Sequence, residues 1–245
     1  MAIEVFNRIE HKYIIDTVTY RKVLEAMAPH MTPDRYNGNL RPYTIANIYY
    51  DTPDDYLIRN SLSKSAYKEK LRLRSYGLPT LDTEVFLEIK KKVGGIVNKR
   101  RTPIRLSDAY AFIATGAPPT SSKHLNEQVV NEISYFLTFY SLCPKLYLAY
   151  DRVAFFEKCN PDLRVSFDHN IRSRRYDVAL EKGDHGTPLL ACGTCLMEIK
   201  TSLAKPLWLS HLLTELQIRR TSFSKYGTEF QRTIKTELFP EKKAI

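Results

Sequence analysis

Five separate runs of this chain carry charged side chains two residues apart with other residues, mostly apolar, between them. Arg8, Glu10 and Lys12 form one row, Arg72 and Arg74 a second, Glu88 and Lys90 a third, Lys99 and Arg101 a fourth, and Glu198 and Lys200 a fifth. Positions i and i+2 of an extended strand point to the same side of a sheet, so each run presents one charged face. Arg152 and Arg164 stand singly in similar stretches, Tyr150 to Phe155 and Leu163 to Asp168. A sheet wetted on one side shows the same alternation. Here, however, the charged face is dominated by Arg and Lys, and the opposite face can pack beneath helices. Taken together, the runs describe a sheet turned inside out, with its apolar face outward and its basic face lining a tunnel.

The remaining pattern supplies the helices. Strands are predicted over residues 3–13, 43–50, 70–74, 85–90, 96–104, 145–156, 163–168, 174–179 and 189–201. In the first, Ile3, Val5 and Ile9 share the apolar face. Asp16 or Thr17 offers an N-cap to a helix ending at Pro29, and a short helix is predicted around Tyr56. Residues 107–115, 122–140 and 206–218 carry helical spacing, and a further turn starts near Ser224. Turn signals lie too close for parallel crossovers, so the expected fold is α+β: an eight-stranded antiparallel β tunnel with helices packed outside, a single domain over residues 1–245. The segments Phe86 to Lys90 and Leu196 to Lys200 resemble each other, a hint of two related halves.

Charge points to the ligand. The 245 residues carry 37 Lys and Arg against 27 Asp and Glu, a net charge of +10, so an anion is the natural partner. The longest uncharged apolar stretch, Ile133 to Cys143, is too short to span a bilayer. The N-terminal residues lack the features of a secretory signal, and a cytoplasmic location is expected. Four cysteines are too few for a disulfide framework. Cys192 and Cys195 have redox or zinc spacing, but no second pair or clustered His accompanies them, and a hairpin loop is the simpler reading. None of the six His recurs at metal spacing, and only His169 lies near a charged run. Trp208 reads as core. Arg172, Arg174 and Arg175 fit either a solvated strand or an anion site at the tunnel mouth. Tyr49, Tyr76 and Tyr226 could stack on a base or pack at the rim.

Arg8, Lys12, Arg72, Arg74, Lys90, Lys99, Arg101, Arg152, Arg164, Lys200 and Lys225, set against Glu10, Glu88 and Glu198, give the tunnel an excess of about eight positive charges. Such crowding is costly in an empty low-dielectric cavity, and a polyanion would relieve it. Arg suits phosphate oxygens through its planar fork, and Lys through its compact charge. Carboxylates among phosphates suit a hard divalent cation, Mg2+ or Mn2+.

In order, the motifs are Arg8-x-Glu10-x-Lys12-Tyr13, Ile48-Tyr49-Tyr50-Asp51-Thr52, Leu71-Arg72-Leu73-Arg74-x-Tyr76-Gly77, Leu87-Glu88-Ile89-Lys90, Lys99-Arg100-Arg101-x-Pro103, Tyr150-x-Arg152-x-Ala154-Phe155, Arg164-Val165-Ser166-Phe167-Asp168, Met197-Glu198-Ile199-Lys200 and Phe223-Ser224-Lys225-Tyr226. In this joint order, from about Val5 to Phe230, the chain resembles the polyphosphate polymerase domain of the vacuolar transporter chaperone (VTC) group, within the CYTH-like triphosphate tunnel metalloenzymes. The resemblance implies an enzyme that transfers the γ-phosphate of ATP to a growing inorganic polyphosphate chain and releases ADP. It implies phosphate binding by Lys12, Arg72, Arg74, Lys90, Lys99, Arg152, Arg164, Lys200 and Lys225. Arg8 and Arg101 join them as basic residues of the same tunnel face. Glu198 would be the main ligand of Mg2+ or Mn2+, assisted by Glu10 and Glu88. Hydrolytic relatives begin with Glu-x-Glu-x-Lys, whereas Arg8 stands at the first acidic position here, which favours the polymerase branch. The regulatory and membrane segments of the eukaryotic polymerases are not in this chain. The resemblance therefore leaves such roles to a separate membrane-protein partner, with this chain in the cytoplasm or peripheral at the inner face of a membrane. The alternatives are a metal-dependent triphosphatase on the same tunnel and a non-catalytic module that binds polyphosphate or RNA. No RNA-reading motif is present, and no specific nucleic-acid partner is expected.

Overall fold

A computed structural model describes residues 9–37, 40–63, 65–94, 96–119, 125–202 and 204–238. The strands are β1 (Ile9–Asp16), β2 (Met31–Pro33), β3 (Tyr43–Asp51), β4 (Tyr67–Tyr76), β5 (Glu84–Val93), β6 (Ile96–Arg105), β7 (Cys143–Glu157), β8 (Arg164–Arg174), β9 (Thr187–Pro188) and β10 (Thr194–Thr201). The helices are α1 (Thr17–Met27), α2 (Tyr56–Leu62), α3 (Leu106–Thr115), α4 (Glu127–Phe139), α5 (Leu207–Glu215) and α6 (Lys225–Leu238). Eight strands form one antiparallel path, β1-β10-β8-β7-β3-β4-β5-β6, with β2 paired to β7 and β9 to β8. Among the described residues β1 and β6 remain the two edges; no ladder joins them, and the enclosure arises from curl.

The alternation read from the sequence sets the two faces. Leu71, Leu73, Val85, Leu87 and Ile89 are buried on the outer face beneath α3 and α4, together with Phe112, Ile133 and Phe136. On the other half of the sheet, Val165, Phe167, Met197 and Ile199 are buried with Val23 and Met27 of α1 and Leu209 and Leu212 of α5. Burial of each such side chain contributes about 1.5–3 kcal/mol, which is what holds the helices to the outside. The α1 helix starts where the Asp16 carboxylate accepts from the Thr19 backbone N–H at 2.7 Å.

One helix packs differently. Phe223, Tyr226 and Phe230 of the α6 segment are buried with Ile45, Tyr49, Leu146, Leu148 and Leu196, which alternate with the outward-facing residues of their strands. The start of α6 is therefore held against the concave face. Ser224 caps it, its Oγ accepting from the Gly227 N–H at 3.2 Å.

Other expectations need correction. Ile9 is 51% exposed, and the outward apolar residues of β1 are Tyr13 and Ile15. Residues 3–8 of the first predicted strand lie outside the described residues. The strand predicted over 163–168 runs on to Arg174 as β8, with a register shift against β7 between Ala149 and Asp151, and residues 175–179, predicted as part of a further strand, form bends and loop after its end. Asn170 at the shift has φ +47°, a left-handed conformation that Asn tolerates. The bulge inverts the alternation: Asp168 faces inward before it, Ile171 after it, and Arg172 and Arg174 are turned to the outside.

A basic cavity inside the curved sheet

The inward rows of all eight path strands converge on one cavity of ≈ 320 Å³. Its wall contains Lys12, Lys70, Arg72, Arg74, Lys90, Lys99, Arg101, Arg152, Arg164, Lys200 and Lys225, with Glu10, Glu88 and Glu198. Eleven cations against three carboxylates leave an excess of eight positive charges among the described lining residues. Ser224 and Lys225 bring the N-terminal end of the 14-residue α6 to the same wall, and its dipole adds positive potential there.

The buried charges fall into two groups. In one, Arg152 donates from Nε and Nη2 to Asp168 at 2.6 and 2.8 Å, and Lys225 Nζ sits 2.6 Å from Asp168 and 3.1 Å from Glu198. Burial alone would raise the Asp168 and Glu198 carboxyls; Arg152 and Lys225 lower the first, and Lys225, Lys200, Arg152 and Lys12 hold the second well below the usual carboxylate range. In the other, Glu88 is held by Arg72, by Lys99 at 2.9 Å and by Arg74 at 3.8 Å. Burial opposes its ionisation, but those three cations keep it well below its ordinary range. Arg74 is aimed by Asn47, whose Oδ1 accepts from its Nε at 3.0 Å.

For Lys70 such compensation is absent, and for Lys99 it is incomplete. Lys70 has no carboxylate partner among the described residues, and burial with the neighbouring Lys90, Lys12 and Arg72 outweighs Tyr49 to bring it down to about 8. Burial would raise the Tyr49 hydroxyl, yet Arg72, which donates to it at 3.3 Å, brings it down to about 8 with help from Lys70 and Arg74. Lys99 falls to about 7 through desolvation and the nearby Arg72 and Arg74, against the pull of Glu88. These displacements have the direction expected of a cavity built for a bound anion.

The carboxylates separate where a metal is concerned. No group of three or more His, Cys, Asp or Glu side chains gathers at metal-binding distance among the described residues. Glu10 and Glu198 do face a common point: Lys200 Nζ lies 3.6 Å from Glu10 and 3.8 Å from Glu198. One or two carboxylates, completed by phosphate oxygens and water, suit Mg2+ or Mn2+, so this pair fits a divalent cation. Glu88, on β5, is held by Arg72, Arg74 and Lys99 instead and forms no group of three with Glu10 and Glu198.

Of the residues singled out from the sequence, Lys12, Arg72, Arg74, Lys90, Lys99, Arg101, Arg152, Arg164, Lys200, Lys225, Glu10, Glu88 and Glu198 all border this cavity, and Arg8 lies outside the described residues. Lys70, Tyr43, Tyr150 and the buried Asp168 were not singled out, although Lys70 shares the parity of Arg72 and Arg74. His169 turns outward to the Tyr20 ring at 4.8 Å. Arg172 pairs with Asp151 and Asp184 and Arg174 covers the Tyr147 ring at 3.5 Å, so these two brace the outer face, while Arg175 pairs with Glu229 and anchors α6. Trp208 joins the outer core, stacked on His30 at 4.3 Å. Tyr226 donates to Asp51 at 3.1 Å. Cys195 is buried, its thiol pushed by burial up to about 12, while Cys192 is exposed; both are free thiols. No helix among the described residues is long and apolar enough to cross a membrane.

The family model described as the VTC domain matches residues 7–234. Among solved structures, a candidate adenylate cyclase from Bacillus halodurans superposes with a TM-score of 0.53 at 12% identity, over 89% of this chain and 93% of that one. An adenylyl cyclase candidate from Hippeastrum, described as having a dominant triphosphatase activity, superposes with a TM-score of 0.50 at 16% identity, over 92% and 96% of the two chains. At these identities the likeness is one of fold. No curated protein is a significant match in sequence.

Proposed function

Starting from a chain that belongs to the VTC domain family, we propose that it is an ATP-dependent polyphosphate polymerase. The observation that carries this reading is the formal excess of eight positive charges on the residues lining one cavity, reduced to six by Asp168 and Asp34, which pair with Arg152 and Arg164. A nucleoside triphosphate brings about four negative charges, roughly one per phosphoryl group and a second on the terminal one. The remainder suits the end of a second phosphate chain held beside it. Arg8 in place of an acidic residue points the same way, since it adds cationic rather than metal-binding character.

No side-chain nucleophile is required. A terminal oxygen of the polyphosphate chain attacks the γ-phosphorus in line, the bond from that phosphorus to the β,γ-bridging oxygen breaks, and the charge leaves on ADP. Arg72, Arg74, Lys90, Lys99, Arg152, Arg164, Lys200 and Lys225 hold the two anions in that alignment and offset their repulsion. Glu198 and Glu10 are the residues that would hold Mg2+ or Mn2+, which supplies charge neutralisation across adjacent phosphates when bound.

Water reaching the same γ-phosphorus would make the chain a triphosphatase, the activity described for the Hippeastrum protein. Incubation with γ-labelled ATP and Mn2+, with products resolved on a gel, separates the readings. A ladder of labelled chains supports the polymerase. Free phosphate alone overturns it in favour of the triphosphatase, and the absence of any product together with tight polyphosphate binding leaves a binding module.

A further inference from the structure

Tyr43 and Tyr76 belong to the cavity wall, at the first position of β3 and the last of β4, and neither belongs to the phosphate-binding set. With Tyr36 they form a ring cluster: centroids lie 6.1 Å apart for Tyr36 and Tyr43, 6.3 Å for Tyr43 and Tyr76, and 6.5 Å for Tyr36 and Tyr76, whose planes are within 14° of parallel. Phe86 meets Tyr76 edge-on at 5.8 Å, and the Arg101 guanidinium covers Phe86 at 4.6 Å. Despite this packing, Tyr36 is 60% and Tyr76 is 47% exposed. An exposed aromatic cluster at the edge of a polar cavity is a feature that a ligand would cover.

Its position relative to the cations is ordered. Tyr76 lies two residues beyond Arg74 on the same face of β4, and Tyr43 is the cross-strand partner of Arg152. Arg164 donates to the Tyr43 hydroxyl at 3.5 Å. The Tyr36 loop is held in place: Asp34 N–H donates to the Ala154 carbonyl at 2.8 Å, and the buried Asn37 side chain donates to the same oxygen at 2.8 Å. Along the wall, a preorganised aromatic rim thus passes directly into a row of cations, the order in which a nucleotide presents a flat base and then its phosphates.

We infer that Tyr36, Tyr43 and Tyr76 form a nucleobase platform at this mouth, through which the protein distinguishes a nucleoside triphosphate from a bare inorganic triphosphate. The inference rests on the reading of the cavity as a triphosphate site. Stacking reads the flat face that every base possesses, so the platform selects for the presence of a base rather than for its identity.

Titration calorimetry with ATP and with inorganic tripolyphosphate tests it, on the wild type, Tyr76→Ala, Tyr76→Phe and the double variant Tyr36→Ala, Tyr76→Ala, with thermal melts as a folding control. The expected result is a loss of about tenfold in ATP affinity for Tyr76→Ala, a larger loss for the double variant, retention in Tyr76→Phe, and unchanged affinity for tripolyphosphate. Equal losses for both ligands, or undiminished ATP binding in the double variant, would overturn the platform. A wild type that binds neither ligand would overturn the triphosphate reading as well. A base-dependent preference without any labelled chains in the gel assay would sink the polymerase reading alone.

Discussion

Lys70 of β4 and Lys90 of β5 stand directly opposite one another across an antiparallel ladder, and Lys90 in turn faces Lys99 of β6. Like charges in this position are destabilising. Lys99 reaches Glu88 at 2.9 Å, whereas Lys70 reaches no carboxylate among the described residues. The ligand-free tunnel thus holds repulsion that a bound polyanion removes, and the same row that weakens the empty protein strengthens its complex.

Lys70→Met should therefore stabilise the ligand-free protein while weakening its grip on tripolyphosphate. A gain of about 1 kcal/mol corresponds to roughly 2–4 °C in a chain of this size. Thermal melts with and without tripolyphosphate measure both sides. A lower melting temperature for the ligand-free variant would contradict the repulsion.

The pH dependence of that gain follows from linkage. Lys70 releases its proton at about 8 in the folded protein, below the usual lysine value, so between the two the unfolded chain binds more protons and stability rises with pH. The penalty from Lys70 is complete below about pH 8 and absent near pH 10 and above. The melting temperatures of wild type and Lys70→Met should accordingly converge between these limits. A gap that stays constant across the range would refute this.

Asp168 compensates two buried cations, Arg152 at 2.6 Å and Lys225 at 2.6 Å, and is itself fully buried. Asp168→Asn leaves both short of a counter-charge and should destabilise the fold by about 3–5 kcal/mol, the usual result of breaking a buried pair. Arg101, at the exposed rim, should behave oppositely: Arg101→Ala weakens tripolyphosphate binding and leaves chemical denaturation nearly unchanged. Similar denaturation midpoints for the two variants would show that the two residues do not divide in this way.

The three glutamates should divide in their effect on metal affinity. With tripolyphosphate bound, Mn2+ binding followed by electron paramagnetic resonance should weaken in Glu198→Gln and in Glu10→Gln, which share a position beside Lys200, and persist in Glu88→Gln. Loss in Glu88→Gln equal to that in Glu198→Gln would contradict the separation of the carboxylates.

Much of this site was legible before any coordinates because a strand's period of two is a local property. The parity that places Arg72 with Arg74, or Glu198 with Lys200, on one face needs only extended backbone. Lys70 carried the same signal by position. The pattern left two readings open where a local irregularity broke the period: the bulge at Asn170 turns Arg172 and Arg174 away from the cavity, and nothing in Asp168-His169-Asn170-Ile171 marks the extra residue. Ile9 shows the opposite limit, since an apolar residue of the right parity stays exposed at 51% near the start of an edge strand.

The sequence by itself therefore determined most of the strands, their charged faces and the cationic character of the surface they share, all of which follow from residue type and near-neighbour spacing. Only the tertiary structure decided that β1 and β6, the two ends of the path, curl toward one another; that α6 brings Lys225 against Glu198 and Asp168 from inside; and that Glu88 stands apart from Glu10 and Glu198. These relations depend on sheet curvature and on contacts between segments more than two hundred residues apart, such as Lys12 with the Phe223 carbonyl at 3.0 Å, and no local period encodes them.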